Sequence, residues 1–227
     1  MVDQNLQSHE KPFHDVAQRI LLQSGPYAGD FRSCPDQYVG LVESFVPEAD
    51  FPERVCALFR GPQPCFLMVL ESPHTAEFRR KRVGRWIDDD LGPAYGASGK
   101  SITKHISKVL NLENFPDYGL VLINAVQYQC SRATKPLDET LRDANFTKIW
   151  SQGGREDFNR RLSAVHRADD VVVNSCTKGD SKVKSDELRE LVQSAIISAA
   201  LSDQTHTFRS SHPASWRSAD RLKQAWR

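Results

Sequence analysis

A chain of 227 residues with a net charge of +1 is long enough to bury one core without a second domain, and it has no global field to hold a polyanion. Any nucleic-acid contact must therefore come from a local basic patch. No apolar run approaches the ~18 residues of a membrane-spanning helix, and Glu, Lys, His and Asp interrupt Met1 to Ile20 where a leader's apolar stretch would lie. A soluble, cytoplasmic protein with no membrane partner is expected. The five cysteines, at 34, 56, 65, 130 and 176, include no C-x-x-C pair, which argues against a disulfide framework, a zinc knuckle or an iron–sulfur cluster. Buried reduced thiols, no metal and no cofactor are the expectation.

Residues 1–12 are polar and read as a frayed lead-in. Apolar Phe13, Val16, Ala17, Ile20 and Leu21 predict a helix from Phe13 to Ser24, residues 13–60 as a whole read as a helical N-terminal part, and prolines at 47, 52, 62 and 64 separate its short helices from the first strand. Phe66 to Leu70 is an unbroken apolar run, the pattern of a strand buried on both faces, and it stops at Glu71-Ser72-Pro73-His74. Arg79, Arg80, Lys81, Arg82 and Arg85, followed by Asp88, Asp89 and Asp90, read as a loop; three adjacent acids cannot all face one ion. After the turn from Gly92 to Gly99, Ser101 is placed to cap a helix whose stripe is Ile102, Ile106, Val109 and Leu110. A strand over 119–124, helices over about 137–150 and 156–167, and a strand at Val171 to Val173 follow. Leu188, Leu191, Val192, Ala195, Ile196 and Ala199 give the clearest amphipathic helix. A last strand, Thr207 to Arg209, leads into Ser210-Ser211-His212-Pro213. Strands alternating with helices predict a single three-layer α/β domain spanning 1–227, with a short, mostly parallel sheet.

In such sheets ligands bind beyond the carboxyl ends of the strands, and three apolar strands here end in polar residues: Glu71 to His74, Asn124, and Ser210 to His212. Together these segments resemble the uracil-DNA glycosylase superfamily, in the branch whose first motif is G-E-A-P-G-x-x-E. That motif stands here as Leu70-Glu71-Ser72-Pro73-His74-Thr75-Ala76-Glu77. Gly92, Pro93, Gly96, Ser98 and Gly99 fit the branch's G-x-P-F-V-G-x-S/A-G; Asn124-Ala125-Val126 looks like its N-V-V and His212-Pro213-Ala214 like its H-P-S. The likeness covers about residues 66 to 217. It implies a monomer that binds DNA, flips a nucleotide out of the stack and hydrolyses its N-glycosidic bond. His212 would donate a hydrogen bond to the departing base, Asn124 would read the base edge, and Glu71 would position water or offset charge on the sugar. Tyr95 would stack on the flipped base, with Ser72, His74 and Ser98 lining the pocket. Arg79, Arg80, Lys81, Arg82, Arg85 and Ser211 would contact phosphates, and Trp216 and Arg217 would fill the hole left in the duplex.

The chain departs from that pattern at several positions. Leu70 and His74 replace its two glycines, Ala94 stands where it has phenylalanine, and Ala214 replaces the serine of H-P-S. Its four cluster-binding cysteines are missing, with Tyr128 where one is expected and Cys130 two residues off. In another branch a tyrosine at the His74 position crowds carbon 5 of the base, which gives His74 that contact by resemblance. These changes detach the expected reaction from uracil in particular and keep open a non-catalytic DNA- or partner-binding protein on the same fold. A rival of another class is a nucleotide hydrolase, since Ala94 to Ser101 satisfies the loose phosphate-loop pattern ending Gly99-Lys100-Ser101. Such a loop must leave a buried strand directly, and Arg85 to Leu91 makes a poor one.

Overall fold

A computed structural model describes residues 6–24, 31–78, 80–82, 85–87, 91–110, 117–131, 139–179, 188–199 and 206–216. Helix α1 (Leu6–Gln23) sets Ala17, Ile20 and Leu21 into the core, as their spacing dictates. It starts at Leu6 rather than Phe13, so part of the expected lead-in is helical. The segment read as helical up to residue 60 instead holds two strands, β1 (Gln37–Leu41) and β2 (Val55–Cys56), with short 3-10 turns at Val42–Ser44 and Ala57–Phe59. Pairing decides the matter: β1 lies antiparallel on a central strand, which a local periodicity cannot reveal.

The apolar run forms β3 (Cys65–Leu70), buried at every residue. The basic segment is not a loop but a hairpin, β4 (Arg80–Arg82) against β5 (Arg85–Ile87), with Arg80 opposite Ile87 and Arg82 opposite Arg85. Helix α2 (Ala97–Val109) begins before Ser101; Gly96, at φ 92°, takes the cap position without a side-chain bond. Ser101 donates its hydroxyl to the Pro213 carbonyl at 2.6 Å instead. A side chain at Gly99 would meet the Ala94 carbonyl at 2.0 Å, so only glycine lets the loop fold onto this helix. Then come β6 (Gly119–Asn124), α3 (Glu139–Ile149), a π turn at Trp150–Gly154, α4 (Arg155–Val165), β7 (Val171–Asn174), α5 (Leu188–Ser198) and β8 (His206–Arg209).

Six strands make the main sheet in the order β2-β1-β6-β3-β7-β8. The four strands β6, β3, β7 and β8 run parallel, and β1 and β2 extend the β6 edge antiparallel. The sheet is therefore mixed but mostly parallel. Val69, Val121, Ile123 and Val172 pack on one face beneath α1, α3, α4 and α5; Met68, Leu120, Leu122 and Val173 pack on the other beneath α2. That is the three-layer arrangement the alternating pattern predicts. At the amino end, Asp170 accepts from Arg60 at 2.9 Å and from the Cys65 N–H at 2.8 Å, tying the starts of β3 and β7 together in the interior. Among the described residues no helix is long and apolar enough to cross a membrane. Nor is α2 entered from a strand of the main sheet, as a phosphate loop requires: the chain reaches it from the 91–96 segment behind the hairpin.

Candidate functional site

The chain steps from β3 to β6 on one side and from β7 to β8 on the other, which makes the gap between β3 and β7 a topological switch point. Glu71, just past β3, is buried there and reaches across the gap. Its Oε2 accepts from the Thr177 backbone N–H at 3.2 Å and from the Thr177 hydroxyl, and its Oε1 lies 3.4 Å from Arg142 Nε. Arg142, from α3, is itself paired with Asp143 at 2.7 Å. Both oxygens of Glu71 are thus engaged, which fixes the orientation of the carboxylate.

His212 sits on the loop after β8, and its ring is held from behind. The Ala214 N–H donates to its Nδ1 at 3.2 Å, and the Ser215 N–H and hydroxyl donate to its carbonyl at 2.8 and 2.7 Å. Burial holds the imidazole below its ordinary pKa, while Glu71 raises it and Arg142 and Arg189 lower it. A neutral ring whose Nδ1 accepts must carry its proton on Nε2. His212 is thereby a hydrogen-bond donor in the same electrostatic neighbourhood as Glu71. The loops after β7 and β8 are stitched together by the Ser175 and Ser210 hydroxyls, 2.7 Å apart. Ser72 lies beside the Cys130 thiol, which burial pushes up to about 12, and His74 is exposed at the rim.

Asn124 occupies a second buried nest. Its amide nitrogen donates to Cys34 Sγ at 3.4 Å, Arg161 holds its backbone carbonyl at 3.0 Å, and its Oδ1 has no hydrogen-bond partner. A buried acceptor left in this state is what a donor on a ligand can satisfy. Beside it stands the carboxyl of Glu77, pushed up to about 8 by burial, against the Ala94 and His74 backbone bonds, Asn124 and Arg54 that pull it down. Glu77 accepts from the Ala94 N–H at 3.0 Å on Oε1 and from the Gly92 N–H at 3.3 Å on its carbonyl, so it clasps the neck of the hairpin.

Because the native carboxyl is raised above its unfolded value, the folded state holds an extra proton between roughly pH 4.5 and pH 8, and stability falls as pH rises through that window. Glu77→Gln should remove this slope. Urea denaturation at pH 5, 6.5 and 8 is expected to show the variant gaining on the wild type with pH, and parallel curves would show that Glu77 ionises as an ordinary carboxyl.

Two expected contacts are placed differently. Trp216 is wholly buried in the core beneath α2, with its indole N–H donated to the Ser211 carbonyl at 2.8 Å. A ring with no exposed surface cannot enter a duplex, so the expected wedge is instead a brace under the His212 turn. Tyr95 is buried with the Arg54 guanidinium 3.7 Å over its ring, so one of its two stacking faces is taken by a cation–π contact. Ser98 stands half-buried in the first turn of α2, and Ser211 is half-buried beside His212. Arg80, Lys81, Arg82 and Arg85 lie on the hairpin; Arg79 and Arg217 fall outside the described residues.

Sequence reasoning missed Thr177, Arg142 and Glu77 as members of the site. The signal for Thr177 was present, because Val171 to Val173 also runs into polar residues, Asn174 to Thr177. Among the described residues no group of His, Cys, Asp and Glu is disposed to hold a metal ion. Compared with known protein families, with curated proteins and with solved structures, the chain matches none.

Proposed function

We propose that this protein is a DNA glycosylase that flips out a damaged or modified base and hydrolyses its N-glycosidic bond. The observation that carries the reading is His212: a desolvated neutral imidazole whose Nδ1 is occupied by the Ala214 N–H, leaving Nε2–H to donate. As the bond to the sugar breaks, its electron pair leaves with the base and negative charge collects on a base carbonyl. A fixed donor aimed there stabilises the transition state more than the ground state. The sugar meanwhile gains positive charge before water adds to it, and the Glu71 carboxylate, held by Thr177 and Arg142, is the group suited to offset that charge. Asn124, with an unsatisfied buried Oδ1, suits the reading of a base edge.

The test is mass spectrometry of bases released from DNAs carrying a panel of modified bases. Release of one base class, lost in the His212→Ala variant, supports the reading; binding without release across the panel would favour a non-catalytic DNA-binding protein on this fold. The basic hairpin leads to a second expectation. Replacing Lys81 and Arg85 by alanine should weaken binding alike for every DNA sequence and lower the salt slope by about one for each phosphate no longer neutralised. An unchanged slope would assign the hairpin to solvent.

A further inference from the structure

Three lysines recur every fourth residue on α2, Lys100, Lys104 and Lys108, and all three are exposed on the side opposite its buried Ile102, Ile106 and Val109. At ~1.5 Å rise per residue they stand about 6 Å apart along the helix. This face does not simply meet solvent. Between it and the Pro213–Ser215 turn lies a cavity of about 180 Å³, lined by Lys100, Ser101, Lys104 and His105 from α2, Ala214 from the turn, and Glu48. Its charge is lopsided: two ammonium groups face one carboxylate, Glu48, which is paired with Lys104. The field is felt locally, since burial and then Lys104 and Lys108 hold His105 below its ordinary pKa, opposed by Glu48.

The cavity is joined to the candidate site by the turn itself. Ser101 holds the Pro213 carbonyl at 2.6 Å, and Ala214, which lines the cavity, donates its N–H to His212 Nδ1 at 3.2 Å. His212 and the cavity thus share the Pro213–Ser215 turn, so on the glycosylase reading a strand that delivers a nucleotide to His212 brings its backbone close to the cavity. We propose that the cavity seats a backbone phosphate of bound DNA, and that Lys100, Lys104 and Lys108 continue it as a phosphate track along α2. This rests on the glycosylase reading for the direction of the strand but not for the binding chemistry. Glu48 acts as the built-in competitor, occupying Lys104 until a phosphate displaces it.

Fluorescence anisotropy with a short labelled duplex of ordinary bases, titrated at several salt concentrations, tests this. Lys100→Ala/Lys104→Ala should weaken binding about tenfold or more at low salt and reduce the slope of log affinity against log salt by ~0.9 for each phosphate no longer neutralised, at least the one seated in the cavity. Glu48→Gln should move the opposite way, tightening binding several-fold. All three side chains are exposed, so thermal melting should show an intact fold. An unchanged slope in the lysine variant, binding no tighter in Glu48→Gln, or a wild type that binds no duplex would each overturn the proposal. Failure to release any base would count against the glycosylase reading alone, because only binding is measured here.

Discussion

Replacing His212 by alanine is expected to slow single-turnover base release by roughly 10²-fold or more while leaving DNA affinity almost unchanged, because a donor aimed at charge that develops only on bond cleavage contributes to rate and not to ground-state binding. Circular dichroism should show the fold intact, since the ring itself accepts only one bond, from the Ala214 N–H. The pH profile adds an independent readout. With its pKa held below the ordinary value by burial, His212 should stay neutral from neutral into mildly acid solution. Activity should fall only as pH drops through that lowered pKa, where a proton on Nδ1 would face the Ala214 N–H donor to donor. Unchanged base release in the alanine variant would make His212 a structural residue and remove the main catalytic support for the reading.

Trp216→Ala should cost about 3–5 kcal/mol of folding stability, the usual loss when a buried aromatic ring is cut back to a methyl group. The ring is fully enclosed, and its indole N–H anchors the Ser211 carbonyl on the other side of His212. Trp216→Phe keeps most of the volume and should lose about 1 kcal/mol for the missing hydrogen bond. Chemical denaturation of the pair separates packing from bonding. A wild-type-like midpoint in Trp216→Ala, with activity lost on duplex but kept on single strands, would return this residue to the duplex-opening role that the sequence pattern suggests.

The parallel strands β3, β6 and β7 were legible because each is an apolar run bounded by polar residues, and burial on both faces leaves no other way to write such a strand. β3 and β6 were placed almost to the residue, as were α3, α4 and α5. What was not legible depends on partners distant in sequence. β1 contains a glycine at φ 109° and gains its identity only by pairing with β6, while the two strands of the basic hairpin are too short to show an alternation. The site divides the same way. Glu71, Asn124 and His212 were found because polar groups at strand ends are conspicuous against apolar runs. The polar end of β7 was visible, but that Thr177 meets Glu71 follows from the adjacency of β3 and β7, and Arg142 arrives with the docking of α3; no spacing encodes either. Trp216 was misjudged because a tryptophan just beyond a polar turn reads equally well as surface or core, and only the packing of α2 against that turn decides between them.

The position of β8 in the sheet has a consequence for how the protein fails. It is an edge strand, paired only with β7, and His206 and Thr207 on it are exposed, whereas β3 is enclosed between two parallel neighbours. Amide hydrogen exchange should accordingly be fastest along β8 and slowest along β3 and β6, since opening free energies follow how much packing and pairing a segment must break. Local detachment of β8 would carry His212 away from Glu71 while the central strands stay paired. On gentle heating, the approach of His212 to Glu71 would then be lost before the ellipticity of the sheet, and recovered on cooling without refolding of the whole chain.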